Sequence, residues 1–459
     1  MKKPLLLFVL LSLVFTTSVK AQFPSEVADR LQFVIDSITI KYKVKGVSAA
    51  ILVPGRGIWK GTSGISHQGV PLTTDMVFCM GSNTKTYISA LLLKLQEKGK
   101  IDLDDSVGKW IQGYPSITGS ATLRQCMSHT SGITDYFQNE AINDSILGKP
   151  SKIWTYEDIF KMAPAPSFAP GTSWSYSNTG YSVLGEVLRQ VMAQSPFVSL
   201  EEEILTWNGL SPVYNFSDLP QSVVYAHPWS MNINGFSLTD LTATPYLDQL
   251  FSLADVAGGL MTTPEQNVTF WHLLFEGYII NPTSLAEMTT MRKVGGGLEY
   301  GLGIMRKRNA NNRIVYEHGG TFFGYLNENM YDTLSKTCIT VFTNQDSLNN
   351  SGLQVLYVAK LQKELLNFPI MSAPNVEETL RLKIYPNPAN SFLHVDIEDF
   401  GQPLKLELTD LSGKRVQKVT IMEESSTLDI SKLTSGVYML TVYTEDGTSY
   451  RTQKLVIAR

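Results

Sequence analysis

The stretch "CMGSNTKTYIS", Cys79 to Ser89, sets a serine and a lysine three residues apart, just after a glycine and just before a long apolar periodicity. Ile88, Leu91, Leu92 and Leu95 recur at helical spacing and Gly99 follows as a stop, so a helix is predicted from Ser82 to about Lys98. Positions i and i+3 of a helix share a face, which brings the Lys85 amine beside the Ser82 hydroxyl. A serine hydroxyl is a weak nucleophile at neutral pH and needs a neighbouring base to take its proton. Unpaired N–H groups and the positive dipole end at a helix start favour a developing negative charge. The stretch therefore holds a nucleophile, a base and half of an anion site.

The sequence on either side of this helix decides the architecture. Upstream, "VSAAILVPG" and "GIWKGTSG" read as two strands joined by a Pro-Gly turn. Downstream, to about Glu276, short helical patterns alternate with loops rich in Pro, Ser, Thr and Asn. Strand patterns return from Gly297 to Asn344, and residues 352–367 read as a closing amphipathic helix. Strands at both ends with helices between predict an α/β fold of the α+β kind, one sheet assembled from both ends with a helical lobe inserted. "PIMSAPNVEET" has the composition of a linker. From Leu380 onward, short alternating runs such as "LKLEL" and "VYMLTVY" predict a small all-β sandwich.

Composition narrows the function classes. The 459 residues carry a net charge of -4 without a basic stripe, which sets nucleic acid aside as a partner. Lys2 and Lys3, the apolar run Leu5 to Phe15, and the small residues Val19 and Ala21 read as a secretory signal over 1–21, cut before Gln22. No later run is long enough to span a bilayer, so an exported protein without a transmembrane segment is expected. The three cysteines, Cys79, Cys126 and Cys338, are odd in number and sit in apolar contexts, which predicts buried thiols. There is no CxxC or HExxH and the six histidines are scattered, so neither a metal nor another cofactor is expected. The glycines of "VGGGLEYGLG" lack the Lys and Ser/Thr of a phosphate loop.

Spacing alone does not make Ser82 and Lys85 catalytic, because a chain of this length holds S-x-x-K about twice by chance. The second copy is Ser106 and Lys109, and the bland alternative for the first is a capping serine with a surface lysine. Two further clusters add weight. "PGTSWSYSNTGYSVLGEVL" sets Tyr176, Ser177 and Asn178 ahead of a helix; a tyrosine relays protons if an ammonium lowers its pKa, and an asparagine amide can hold a substrate carbonyl. Tyr325 and Asn327 share that spacing but lie in a strand pattern, where packing explains them. "YEHGGTFFGY" places His318, Gly319 and Gly320 on a late strand. The glycines would let a substrate backbone approach, the N–H just after them would complete the anion site, and His318 would offer a hydrogen bond or charge to a substrate carboxylate. Arg292 and Lys293, just before the sheet, are weaker candidates for that carboxylate.

The ordered set Ser82-Asn83-Thr84-Lys85, Tyr176-Ser177-Asn178 and His318-Gly319-Gly320 resembles the serine hydrolases related to class C β-lactamases and D-alanyl-D-alanine carboxypeptidases. The flanks "KGKIDLDDSVGKW", "CMSHTSGITDY" and "AGGLMTTPEQ" match in order, and the likeness covers roughly Ser25 to Leu366. The resemblance implies a β-lactamase/transpeptidase-like antiparallel sheet flanked by helices, with the site in a cleft beside a helical lobe. It implies Ser82 as the acylated nucleophile, Lys85 and Tyr176 as the proton-transfer pair, and Asn178 and His318 as substrate ligands. The N–H groups of Ser82 and Thr321 would form the oxyanion hole. Histidine where β-lactamases usually carry lysine resembles the peptidase, amidase and esterase branches. Gln266, where relatives often carry an acid, is peripheral.

The C-terminal stretches "LKIYPNPANSFLHVDI", "LTDLSGKRV" and "LTSGVYMLTV" resemble the sorting domains of the type IX secretion system. The expected organisation is a signal peptide (1–21), a hydrolase domain (22–368), a linker (369–379) and a sorting domain (380–459). The expected protein is a serine hydrolase at the cell surface or outside the cell, acting on small peptide, ester or β-lactam-like substrates, with the secretion machinery as partner. A true β-lactamase is the second enzyme reading; a non-catalytic surface protein on the same scaffold is the alternative of a different class.

Overall fold

Residues 23–231, 238–309, 312–346, 352–368, 381–398, 404–410, 414–443 and 449–458 are described by the computed structural model. The expected signal segment and linker lie outside them. The described residues fall in two compact units, one ending at Phe368 and one starting at Arg381.

In the first unit, nine strands among the described residues form one antiparallel sheet. They are β1 (Gly46–Val53), β2 (Gly57–His67), β3 (Val70–Pro71), β4 (Arg292–Gly295), β5 (Leu298–Tyr300), β6 (Met305–Arg308), β7 (Ile314–Phe322), β8 (Tyr325–Asp332) and β9 (Cys338–Thr343). Their spatial order is β3-β2-β1-β9-β8-β7-β6-β5-β4. The two ends of the unit therefore meet in mid-sheet, with β1 and β9 in register from Val47↔Thr343 to Leu52↔Cys338. Every residue of β1, β8 and β9 is buried, so both faces of this sheet centre are covered.

The helices that supply the cover and the site are α1 (Ser25–Tyr42), α2 (Thr84–Glu97), α3 (Tyr156–Met162), α4 (Asn178–Met192), α5 (Leu247–Gly258), α6 (Pro264–Phe275) and α7 (Leu353–Leu366). On one face, Val47 and Ile51 of β1 pack with Val27, Leu31 and Ile35 of α1 and with Tyr357 and Leu361 of α7. On the other, Ala50 and Phe342 join a larger core with Leu91 and Leu92 of α2, Leu184 of α4 and Val256 of α5. This is the predicted sheet with a helical lobe inserted between its two halves.

Three details differ from expectation. α1 carries no predicted element, although Val27, Leu31, Ile35 and Ile38 mark its buried stripe. The helix after Ser82 starts at Thr84, behind a 3-10 turn over Gly81–Asn83, and it is buried all round, from Thr84 through Leu93. Arg292 and Lys293 do not precede the sheet; they belong to its outermost strand, β4.

The second unit contains β10 (Arg381–Tyr385), β11 (Phe392–Glu398), β12 (Leu404–Asp410), β13 (Arg415–Ile421), β14 (Ser425–Asp429), β15 (Gly436–Tyr443) and β16 (Ser449–Ile457). They pair as β10-β11-β14 and β13-β12-β15-β16, around a core that includes Leu393, Val395, Leu406, Leu440 and Leu455. Alternation supplies that core, as it does in any two-sheet sandwich.

Because α1 is held by its stripe, Leu31→Ala, at a fully buried position, should lower stability by about 2–5 kcal/mol in urea unfolding. Ile40→Ala, 76% exposed on the same helix, should change it by less than about 0.5 kcal/mol.

Candidate active site

Ser82 is presented by two backbones in contact. Gly81 has φ 53°, a left-handed value that glycine adopts without penalty, and a Cβ there would lie 2.7 Å from Thr321 N and 2.8 Å from Thr321 O. A Cβ on Gly320 would lie 1.9 Å from Met80 O. The serine turn is thus pressed against β7, which brings the backbone of Thr321 to the start of α2. The Met80 carbonyl fills the space left by Gly320, and the space beside Gly319 is bounded by Glu328 Oε2 at 3.0 Å.

Lys85 is the second residue of α2, one turn after Ser82, and is 0% exposed. Its Nζ reaches Ser82 Oγ at 3.2 Å, Asn178 Oδ1 at 2.8 Å and Ala257 O at 2.6 Å. Burial drives its pKa down to about 7, opposed by the negative charge of Asp135. Tyr176 stands close by, with the Lys85 amine 4.9 Å from its ring centroid. Desolvation holds this phenol above its ordinary range, so the expectation of a tyrosine made acidic by an ammonium is corrected: Tyr176 is a protonated phenol.

Asn178 is committed on both sides of its amide. Its Oδ1 accepts from Lys85, and its Nδ2 and backbone N–H donate to Asp135 Oδ2 at 2.8 and 3.0 Å. It therefore holds the lysine, and it also lines the cavity over Ser82. Asp135 also accepts from Phe137 N at 3.0 Å; its burial raises its own pKa, and these N–H groups oppose that.

His318 does not carry the expected charge. Burial pushes its pKa down to about 3, so the ring is neutral. A chain of hydrogen bonds assigns its tautomer. Ser177 N donates to His129 Nδ1 at 3.1 Å, which leaves His129 Nε2–H to donate to the Tyr300 hydroxyl at 3.0 Å. Tyr300 donates to His318 Nε2 at 3.1 Å, and His318 Nδ1–H donates to Gly319 O at 2.7 Å. The chain ties the loop ahead of α4 to β7. His129, Asp135 and Tyr300 were missed as site residues. Two of them lie in "CMSHTSGITDY", where a histidine and an acid beside a polar turn were the available signal.

The look-alike pairs do other work. Lys109 pairs with Asp105 at 2.7 Å on the surface. Tyr325 donates to Ala226 O at 2.5 Å, and Asn327 Nδ2 donates to Cys79 O at 2.6 Å, tethering the strand before the serine turn. Arg292 is exposed and donates to Gly171 O at 3.3 Å. Gln266 bonds both ways to the backbone of Ser211, away from Ser82. All three cysteines are free and buried.

A cavity of about 340 Å³ opens over Ser82. Its walls include Phe137, Leu250, Leu253, Phe322 and Phe323, and Asp346 is among its lining residues. No lysine or arginine stands among the described residues that line it.

The profile described as Beta-lactamase matches residues 26–363, and that of the secretion system C-terminal sorting domain matches 383–458. The chain is 25% identical over 268 residues to Penicillin-binding protein 4* of Bacillus subtilis (strain 168), covering 56% of this chain and 58% of that protein. It is 27% identical over 186 residues to Esterase EstB of Burkholderia gladioli, covering 37% and 47%. The matches thus span about half the length of these relatives. Among solved structures, a D-stereospecific amidohydrolase from Streptomyces sp. aligns with 26% identity and a TM-score of 0.61, over 72% of this chain and 98% of that one. A D-amino acid amidase from Ochrobactrum anthropi SV3 aligns with 22% identity and a TM-score of 0.64, over 74% and 99%, and shares the fold.

The close approach of the serine turn to β7 leaves no room for a methyl group on Gly320. Gly320→Ala should cost about 1–3 kcal/mol in thermal unfolding. Gly148→Ala, with open space around it, should leave the melting temperature unchanged or slightly raised.

Proposed function

The chain belongs to the Beta-lactamase family, and on that premise we propose that it is a serine hydrolase that cleaves amide or ester bonds through an acyl-enzyme on Ser82. The observation that carries this is the Lys85 amine, buried, 3.2 Å from Ser82 Oγ and with a pKa near neutrality. A neutral amine has two N–H bonds and one lone pair. Asn178 Oδ1 and Ala257 O accept the two hydrogens, which leaves the lone pair for the serine proton.

In this mechanism Ser82 Oγ attacks the substrate carbonyl carbon while its proton passes to Lys85 Nζ. The N–H groups of Ser82 and Thr321 receive the oxyanion, a role supported by the contact of their two backbones. Tyr176, which keeps its proton, gives it to the leaving nitrogen or oxygen and recovers one from the Lys85 ammonium. Water then attacks the acyl ester with Lys85 again taking a proton, and Ser82 leaves with its hydrogen restored. Gly319, Gly320 and His318 shape the β7 side of the site and carry no charge to it.

The cavity walls favour a small apolar acyl group. With His318 neutral and no lysine or arginine among the described residues of the lining, we rank carboxypeptidase and β-lactamase activity below amide and ester hydrolysis. Asp346 favours a substrate bearing a free amine. We therefore propose amides and esters of apolar amino acids as substrates. Preference for the D series is supported by the likeness to the Streptomyces amidohydrolase. The C-terminal unit would direct the chain to the type IX secretion machinery, leaving the hydrolase at the cell surface or outside the cell.

A fluorophosphonate probe should add mass to the wild type and not to Ser82→Ala; equal labelling of both refutes the nucleophile. D-phenylalanine amide should be hydrolysed at least about tenfold better in kcat/KM than its N-acetyl derivative, with Asp346→Asn narrowing the gap. Efficient turnover of a chromogenic cephalosporin would instead favour the β-lactamase reading. Because Lys85 must be unprotonated to act, the acylation rate should fall about tenfold per pH unit below about 7 and level off above it.

A further inference from the structure

Both carbonyl acceptors of the Lys85 amine stand at helix ends: Asn178 opens α4 and Ala257 lies next to the end of α5. α5 is not regular there. Asp255, two residues before Ala257, has φ 34° and ψ -125°, a backbone conformation that a residue with a Cβ keeps only when its surroundings impose it. The Tyr156 hydroxyl of α3 donates to Asp255 Oδ2, and Asn215 Nδ2 lies 3.4 Å from Oδ1. Gly259 N donates back to Asp255 O at 2.6 Å and closes the bend.

The path from Tyr156 to Asp255 crosses α4 at Gly185. A Cβ there would lie 2.3 Å from the phenol oxygen and 2.6 Å from a Val256 methyl. Glycine in a helix interior costs about 1 kcal/mol relative to alanine, and here its missing side chain admits the hydroxyl. Three helices therefore converge on one hydrogen bond, and two of them, α4 and α5, end on Lys85.

This bond lies apart from the substrate space. Leu250, Leu253, Ala254 and Ala257 form the face of α5 toward the cavity over Ser82. Asp248, Ser252 and Asp255 form another face, which lines a second cavity of about 760 Å³ that also includes Tyr156. A substrate over Ser82 is separated from the Tyr156–Asp255 pair by the helix backbone.

We propose that the Tyr156–Asp255 hydrogen bond, threaded past Gly185, is a positioning device that fixes the bend of α5 and so holds the Ala257 carbonyl on the Lys85 amine. It deepens the proposed function and rests on Lys85 being the base. Tyr156 and Asp255 are positioning residues, acting on the proton transfer through the backbone of α5.

A double-mutant cycle tests this. Tyr156→Phe and Asp255→Ala should each lower kcat by about 10- to 100-fold with KM within about twofold, because a base displaced by a fraction of an ångström loses rate and not substrate binding. The double variant should be no slower than the worse single one. Asp255→Asn still accepts from Tyr156 and tolerates positive φ, so it should stay within about threefold of wild type. Multiplying effects, effects on KM alone, or an Asp255→Asn variant as slow as Asp255→Ala would each overturn the proposal. A second readout needs no substrate. The pKa of Lys85, followed by carbon NMR of labelled lysine, should fall in Tyr156→Phe as a carbonyl that favours the ammonium withdraws; an unchanged titration overturns the proposal. If the wild type is not acylated at Ser82 and this shift is still seen, the hydrolase reading fails and the positioning stands.

Discussion

Burial of the Lys85 amine is the constraint from which the rest of the site follows. A charged ammonium in a dry interior is costly, and the structure answers by lowering its pKa to about 7 and surrounding it with oxygen acceptors. Those acceptors cannot come from α2 itself, so the helical lobe must deliver them from the ends of α4 and α5. Asp135, placed behind Asn178, keeps the depression from going further. The lobe is therefore more than a wall of the cleft, because its helix ends supply the acceptors of the group next to Ser82.

The sheet makes a second contribution by bringing backbone against backbone. Gly81 and Gly320 stand where the serine turn and β7 are too close for a Cβ, and the hydrogen-bond chain through His129, Tyr300 and His318 anchors β7 to the loop ahead of α4. Burial keeps both imidazoles neutral. They act as directed donors and acceptors in a wire of fixed tautomers, which suits a site that needs geometry on this side more than charge.

Much of this was legible in sequence, and the limits are physical. Ser82, Lys85 and Tyr176 were singled out because a hydroxyl with proton carriers needs particular residue types near a helix start, and the structure brings the three together; the strand patterns at both ends of the first unit gave the sheet. Asn178 and His318 were located, but their partners Asp135 and Tyr300 were not, because spacing cannot report who holds the other end of a hydrogen bond. His129 and Asp135 were passed over since a buried polar residue looks the same in sequence whether it is structural or functional. The bend at Asp255 left no trace in composition. α1 carries a clear buried stripe at Val27, Leu31, Ile35 and Ile38 but no side-chain cap to mark its start.

The pairing of β1 with β9 has a consequence in time. The chain emerges from its N-terminus, so Ser82 and Lys85 exist long before Thr321 on β7, about 240 residues later. The sheet centre cannot close until β9 has arrived to lie beside β1. Contacts this distant in sequence form late and slowly. The hydroxyl, the amine and the anion-binding backbone thus remain strangers for most of synthesis, and the nascent chain carries its reactive groups unassembled until the last strand is in place.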